Sequence, residues 1–136
     1  MFIKKYYKKD WIKNKMCGIC GIFSRRKIND RSRVNIMRDI MSHRGPDAFG
    51  NYDDENISLA HRRLSILDLN KRADQPMSSI DSSIVITYNG EIYNYVKLRN
   101  HLKTKGYSFK TKTDTEVLIY MYKQYKISIL WYLSIC

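Results

Sequence analysis

Apolar positions along residues 16–136 fall into short runs with two different periods. Residues 18–23 (Gly-Ile-Cys-Gly-Ile-Phe) form a compact apolar run and predict a short buried strand, with Gly21 expected to break it. Over 32–42, Val34, Met37, Ile40 and Met41 recur at helical spacing. They predict an amphipathic helix with Ser32 as its N-cap. Arg44-Gly45-Pro46-Asp47 reads as a turn. Residues 57–60 and 64–69 read as strands, and 70–82 as a polar connection containing Pro76. The β-branched run 84–88 predicts a strand. Asn94 is placed to cap a helix over 95–105, with Val96, Leu98 and Leu102 apolar and Gly106 just past its end. Residues 107–110 read as a short strand. Thr113-Asp114-Thr115-Glu116 has capping-box spacing and opens a helix carrying Val117, Leu118, Met121 and Tyr125. Strands and helices alternate irregularly, which predicts an α+β fold rather than a regular βαβ wind.

Composition agrees with one folded domain. The chain has 136 residues, 43% hydrophobic and 28% charged, with few Gly and Pro, so it is neither disordered nor collagenous. No run of about 18 uncharged apolar residues exists, so no spanning helix is expected. The last ten residues, Ile-Ser-Ile-Leu-Trp-Tyr-Leu-Ser-Ile-Cys, are uncharged but too few to span a bilayer. Cys17, Cys20 and Cys136 suggest no disulfide framework, and the N-terminus has no apolar signal core. A reducing, cytoplasmic setting is therefore expected.

The net charge of +12 raises nucleic acid or an anionic surface as a partner. The charge is uneven: residues 1–16 hold six lysines against Asp10. Residues 1–15 read as a basic tail or a short amphipathic surface helix. No nucleic-acid module and no glycine-rich phosphate loop accompany them, so no specific nucleic-acid partner is expected.

Several residue groups carry candidate chemistry. Cys17-Gly18-Ile19-Cys20 reads in three ways: a zinc half-site without its second pair, a redox pair, or two buried structural thiols. His43, His61 and His101 are scattered at non-ligand spacing, so no metal is expected. Met16 before Cys17 adds a fourth reading, because trimming after that methionine leaves a cysteine with a free α-amine. An α-amine titrates near about 8 and a thiol near about 8.5, so the pair is matched for proton transfer. Such a cysteine brings its own general base to attack on an amide. The resulting oxyanion needs donors, and Asn89-Gly90 offers a side-chain amide and a backbone N–H. The rival reading of Asn89-Gly90 is a hairpin turn. Arg63 is suited to an α-carboxylate and Asp114 to an α-ammonium; their rivals are a solvated strand end and a helix cap. His61-Arg62-Arg63 reads as a solvated basic edge or, with the tail, a phosphate patch.

Six motifs occur in one order: Met16-Cys17-Gly18-Ile19-Cys20-Gly21-Ile22-Phe23, His43-Arg44-Gly45-Pro46-Asp47, Ala60-His61-Arg62-Arg63-Leu64-Ser65-Ile66, Gln75-Pro76-Met77, Tyr88-Asn89-Gly90-Glu91-Ile92-Tyr93-Asn94-Tyr95 and Thr113-Asp114-Thr115-Glu116-Val117. From Met16 to about Tyr125 the chain resembles the N-terminal glutaminase domain of glutamine-hydrolysing asparagine synthetases, a class II glutamine amidotransferase domain. The resemblance implies an N-terminal-nucleophile fold: a four-layer αββα sandwich, here incomplete at its C-terminal end. It implies Cys17 as nucleophile with its α-amine as base, and Asn89 and Gly90 as the oxyanion hole. Arg63 would bind the α-carboxylate of L-glutamine, and Glu91 and Asp114 would hold its amino-acid end. The Arg44–Asp47 turn is a family signature taken as architectural, and Cys20 receives no role.

The implied reaction releases ammonia and leaves a γ-glutamyl thioester, which water resolves to glutamate. The glutaminase step needs no cofactor. In the full enzyme a synthetase domain or subunit uses ATP and magnesium to amidate aspartate with that ammonia, and a homodimer is allowed. Three departures accompany the resemblance. Fifteen residues precede Met16, which makes 1–15 an extension outside the fold and Met16 the expected start. The synthetase domain is not in this sequence. Residues 16–136 are read as a partial glutaminase domain. The alternatives are an inactive remnant, a non-catalytic partner-binding subunit, or a module that uses the basic tail on anionic surfaces.

Overall fold

The computed structural model describes residues 16–65 and 70–135. The chain divides into two compact units, one ending at Ser65 and the other running from residue 66 onward. The architecture is α+β with two small antiparallel sheets.

In the first unit, β1 (Gly18–Phe23), β2 (Ala48–Asp53) and β3 (Ile57–Arg63) form a three-stranded sheet with β3 in the centre. Gly18 pairs with Arg62 across β1–β3, and Ala48 pairs with Arg63 across β2–β3. Gly21 does not break β1, which runs through it in register with Leu59. Helix α1 (Ser32–Ile40) continues into a 3-10 turn over Met41–His43. Only Val34 of α1 is fully buried; Met37 and Ile40, expected on the inner face, are exposed. Ser32 is the first helical residue rather than the N-cap, and Asp30 Oδ1 takes its N–H at 2.9 Å.

Charged side chains join Val34 in holding α1 to the sheet. The Arg38 and Arg62 guanidinium groups lie 4.3 and 5.0 Å from the Phe49 ring centroid, and both donate to Asp39 Oδ1. These stacked and paired cations keep the Asp39 carboxyl below its usual range, the Arg38 hydrogen bond being the largest cause. This overturns the expectation of a solvated His61-Arg62-Arg63 edge. Strand alternation sends His61 and Arg63 to one face and Arg62 to the other. His61 and Arg63 are buried, and Arg62 is engaged with Asp39 and Phe49.

The second unit contains β4 (Met77–Ser78) paired with β5 (Val85–Ile86), then α2 (Tyr95–Thr104), α3 (Asp114–Tyr125) and a 3-10 helix over Lys126–Trp131. A further 3-10 turn, Lys71–Ala73, interrupts the connection read as simply polar. The strand expected over 84–88 shrinks to two residues, and 107–110 forms none. The expected strand 64–69 is non-strand at Leu64 and Ser65, and its remainder lies outside the described residues.

α2 ends as its sequence predicts. Gly106 has φ +89°, Gly106 N–H donates to Lys103 O, and Tyr107 N–H reaches back to Leu102 O. This is the Schellman arrangement, and it needs a residue tolerant of left-handed backbone. α3 is buried from Asp114 through Met121, so it is a central helix rather than a half-exposed one. Val117, Leu118, Ile119 and Met121 pack with Leu98, Leu102, Ile92, Met77 and Ile129 as the core of this unit. Among the described residues no helix is long and apolar enough to cross a membrane.

Candidate active site

Cys17 stands immediately before β1, half-buried, at the end of the three-stranded sheet. Leu64 N–H donates to its Sγ at 3.3 Å, and Sγ lies 3.7 Å from Leu64 O. Arg44 Nε donates to the Cys17 carbonyl at 3.3 Å. The nucleophile candidate is therefore held on both its backbone and its side chain. Arg63 closes β3 next to Leu64 and is buried to 6% exposure, far from the solvated strand end that was its rival reading.

The Arg44-Gly45-Pro46-Asp47 turn packs directly on this strand end. A Cβ at Gly45 would lie 2.4 Å from Arg62 C and 2.6 Å from Arg63 N, so the close approach requires glycine. Cys20 faces the Val34 carbonyl at 3.8 Å. Burial pushes its thiol up and Arg38 only partly offsets this, which makes Cys20 the less reactive kind of cysteine. Among the described residues no group of three or more His, Cys, Asp or Glu could hold a metal ion.

Asn89, Gly90, Glu91 and Asp114 belong to the second unit. The hairpin reading of Asn89-Gly90 fails on backbone geometry. A type I′ turn needs positive φ at both residues, whereas the described residues with positive φ are Ser82, Lys126 and Gly106. β5 ends at Ile86 and pairs only with β4. The run after it is instead suspended between two anchors. Tyr88 N–H donates to Gln75 Oε1 at 2.6 Å, and Ile92 N–H donates to Asp114 Oδ2 at 3.2 Å. Gln75 is itself fixed, since its Nε2 donates to Thr115 Oγ1 at 3.2 Å. Between the anchors, Asn89 is half-buried, and Gly90 and Glu91 are exposed. Their backbone N–H groups and the Asn89 side-chain amide make no hydrogen bond among the described residues.

Asp114 is the first residue of α3 and is buried. The cap itself is Thr113, whose side chain accepts from Glu116 N–H at 3.2 Å. Glu116 does not return the bond to Thr113 as a capping box would. It accepts from Lys110 N–H at 2.8 Å, Thr111 N–H at 2.7 Å and Thr111 Oγ1 at 2.7 Å. Asn94 likewise occupies the N-cap position of α2 without capping it; its amide bonds Tyr132 O and Ser134 N–H instead.

Of the sequence candidates, Cys17 and Arg63 share the first unit and meet at Leu64, while Asn89, Gly90, Glu91 and Asp114 form one connected segment of the second. Leu64 and Gln75 had no assigned part, and Asp47 had only an architectural one within the Arg44–Asp47 turn. Leu64 acts through backbone groups, which residue type does not reveal. The signals that were available are the charge at the end of the turn and an amide side chain in front of a proline.

A family model described as the glutamine amidotransferase domain matches residues 16–133. The chain is 42% identical over 115 residues to a glutamine-hydrolyzing asparagine synthetase 1 of Bacillus subtilis (strain 168), covering 82% of this chain and 18% of that protein. It is 37% identical over 117 residues to a glutamine-hydrolyzing asparagine synthetase 1 of Arabidopsis thaliana, covering 85% and 20%. It is 37% identical over 127 residues to a putative glutamine-hydrolyzing asparagine synthetase 2 of Methanocaldococcus jannaschii, covering 80% and 24%. The chain thus spans about a fifth of the length of these curated relatives.

Proposed function

Because the chain belongs to the class II glutamine amidotransferase domain family, we propose that it is the glutaminase portion of an asparagine synthetase and hydrolyses L-glutamine to glutamate and ammonia. The observation that carries this reading is the pinned 88–92 segment. It offers the Gly90 N–H and the Asn89 side-chain amide unengaged, as an oxyanion hole requires.

In this reading the Met16–Cys17 bond is cleaved, and the new α-amine of Cys17 takes the thiol proton. The thiolate attacks the side-chain carbonyl carbon of glutamine. Asn89 Nδ2 and Gly90 N–H donate to the oxyanion. The amine passes its proton to the departing nitrogen, which leaves as ammonia, and a γ-glutamyl thioester remains. Water then attacks the thioester carbon, its proton goes to the α-amine, and glutamate and the thiolate are released.

Arg63 pairs with the α-carboxylate of glutamine, bidentately where the guanidinium allows. Asp114 has Oδ2 committed to Ile92 N–H, and its other oxygen takes the α-ammonium together with Glu91. The four-layer αββα sandwich of N-terminal-nucleophile enzymes is the fold this family membership implies, with residues 16–136 as part of it and 1–15 as an extension. ATP and magnesium serve the amidation of aspartate by a synthetase domain that receives the ammonia.

The experiment is to determine the mature N-terminal residue by mass spectrometry and then add an electrophilic glutamine analogue. A chain beginning at Cys17 and labelled on that residue supports the reading. A chain that keeps residues 1–16 and resists labelling establishes the inactive remnant instead. Cys17→Ala is expected to abolish ammonia release with little change in thermal unfolding; ammonia release at the wild-type rate refutes the nucleophile.

A further inference from the structure

The β4–β5 ladder stops short of the Asn89-Gly90 segment, and a side chain carries its next bond. Met77 pairs with Ile86 and Ser78 with Val85, and Ser79 N–H donates to Ile84 O at 2.8 Å. Continued by two residues, this register sets Gln75 opposite Tyr88. Hydrogen-bonded pairs alternate along an antiparallel ladder. With Ser79 bonded to Ile84, the next bonded pairs are Met77 with Ile86 and Gln75 with Tyr88. A main-chain ladder would send Tyr88 N–H to the Gln75 carbonyl. It goes instead to the side-chain Oε1 of Gln75, at 2.6 Å. The other end of the same amide donates from Nε2 to Thr115 Oγ1 at 3.2 Å, in the first turn of α3. Gln75 and Thr115 are both buried, so water does not readily replace these bonds.

Tyr88 passes this hold on to Gly90. Its ring packs against the core of the second unit. A Cβ added at Gly90 would lie 2.6 Å from Tyr88 Oη, so the phenol rests beside the Gly90 α-carbon. Tyr88 is thus fixed at its N–H by Gln75 and at its ring by the core, with Gly90 against it. On the far side Asp114 Oδ2 holds Ile92 N–H. Asp114 and Thr115 are consecutive residues, so both flanks of Asn89-Gly90 are referred to one turn of one helix. Losing the Gln75 bonds releases the Thr87–Tyr88 peptide, which leads into the donors, while the Ile92 side keeps its anchor.

We propose that Gln75 is a positioning residue of the oxyanion hole: its side-chain amide, held by Thr115, fixes Tyr88 and through it the Asn89 and Gly90 donors. The proposal rests on the glutaminase reading, and it gives a role to the Gln75-Pro76-Met77 motif, which that reading leaves without one. Thioester formation and thioester hydrolysis each pass through a tetrahedral oxyanion, so loosening these donors slows both steps. The amino-acid end of glutamine is bound by other groups, Arg63 and Asp114. A loss confined to the transition state lowers kcat and leaves KM in place.

The test is steady-state ammonia release from glutamine by the full chain, under conditions where urea unfolding shows each variant to be folded. Gln75→Met keeps the length of the side chain and removes both of its bonds. Removing an oxyanion donor outright costs about 100-fold or more in kcat. Here the donors stay and lose their support, so Gln75→Met is expected to lower kcat about tenfold with KM within about twofold of wild type. Thr115→Val removes the acceptor of Gln75 Nε2 and should lower kcat about threefold; Thr115→Ser keeps the hydroxyl and restores it. A Gln75 that served stability alone would shift the urea midpoint and leave kcat of the folded protein unchanged. Folded Gln75→Met with wild-type kcat, or with a raised KM as its main defect, overturns the proposal. Equal kcat in Thr115→Val and Thr115→Ser overturns it too, including where Gln75→Met fails to fold. A wild-type chain that releases no ammonia overturns the glutaminase reading and this proposal together, whereas an active wild type with unaffected variants overturns this proposal alone.

Discussion

Replacing Glu116 by Ala removes one carboxylate and leaves three donors behind at the start of α3. Two of them belong to Thr111, which is buried to 6% exposure, so water cannot readily take the place of the lost acceptor. An unsatisfied buried donor costs about 1–3 kcal/mol. The Thr111 hydroxyl keeps part of its bonding through Thr113 Oγ1 at 2.9 Å, and Lys110 is exposed enough to bond water. Arg99, 4.0 Å from the carboxylate, loses its counter-charge but retains Thr111 O and Thr113 O. These contributions together amount to about 3 kcal/mol, most of it from Thr111 N–H and the missing charge. Glu116→Gln keeps one carbonyl oxygen but turns an NH₂ toward another donor, and is expected to cost about half as much. The assay is urea unfolding followed by far-ultraviolet circular dichroism. With a slope of about 2 kcal/mol per molar, the midpoint of Glu116→Ala falls by about 1.5 M. Lys123→Ala, which removes only the exposed ion pair to Asp81, should move it much less. A Glu116→Ala midpoint as close to wild type as that of Lys123→Ala would refute the reasoning.

Gly45→Ala forces a methyl into the backbone of β3 and should cost about 3 kcal/mol in thermal or urea unfolding; a loss below about 0.5 kcal/mol would contradict the close packing of the turn. Gly106→Ala meets no atom within 4 Å but must adopt φ +89°, so it should cost only about 1 kcal/mol, and a neutral result would show that the α2 terminus re-forms differently. Hydrogen bonds from Lys123, Ser79 and Ser83 hold the Asp81 carboxyl below its usual range. Its contribution is therefore present above the unfolded carboxylate value of about 4 and lost as pH falls through the lower folded value. The urea-midpoint gap between wild type and Asp81→Asn should be widest near neutrality and close progressively in acid below about pH 4; a gap constant from about pH 6 to about pH 3 would exclude that linkage.

Elements whose signals are local were legible in the sequence. Gly106 ends α2 because the Schellman bond pattern needs it, and Thr113 caps α3 because its hydroxyl reaches Glu116 N–H. β1 follows an apolar run, and β3 starts over the expected 57–60 but runs on through His61, Arg62 and Arg63. The failures lie where a tertiary partner replaced a local one. Asn94 has the residue type of a cap, but its amide is taken by the chain after the last 3-10 helix. Asn89-Gly90 has the residue types of a hairpin, but Gln75 and Asp114, distant in sequence, hold its flanks. Met37 and Ile40 keep helical spacing while α1 is secured by Arg38, Arg62, Asp39 and Phe49. At the candidate site, Cys17, Arg63, Asn89 and Gly90 could be picked out by side-chain chemistry or glycine. The part of Leu64 could not, because a backbone donor has no residue type.

The suspension of residues 88–92 between Gln75 and Asp114 has an entropic consequence for any ligand that uses it. Fixing one residue's backbone costs about 1–2 kcal/mol. For Tyr88 and Ile92 the fold has already met that cost through side chains anchored on the buried start of α3. Only Asn89, Gly90 and Glu91 keep conformational freedom to lose. A free strand of the same five residues would charge a ligand for all of them, and the difference is about 2–4 kcal/mol of binding free energy.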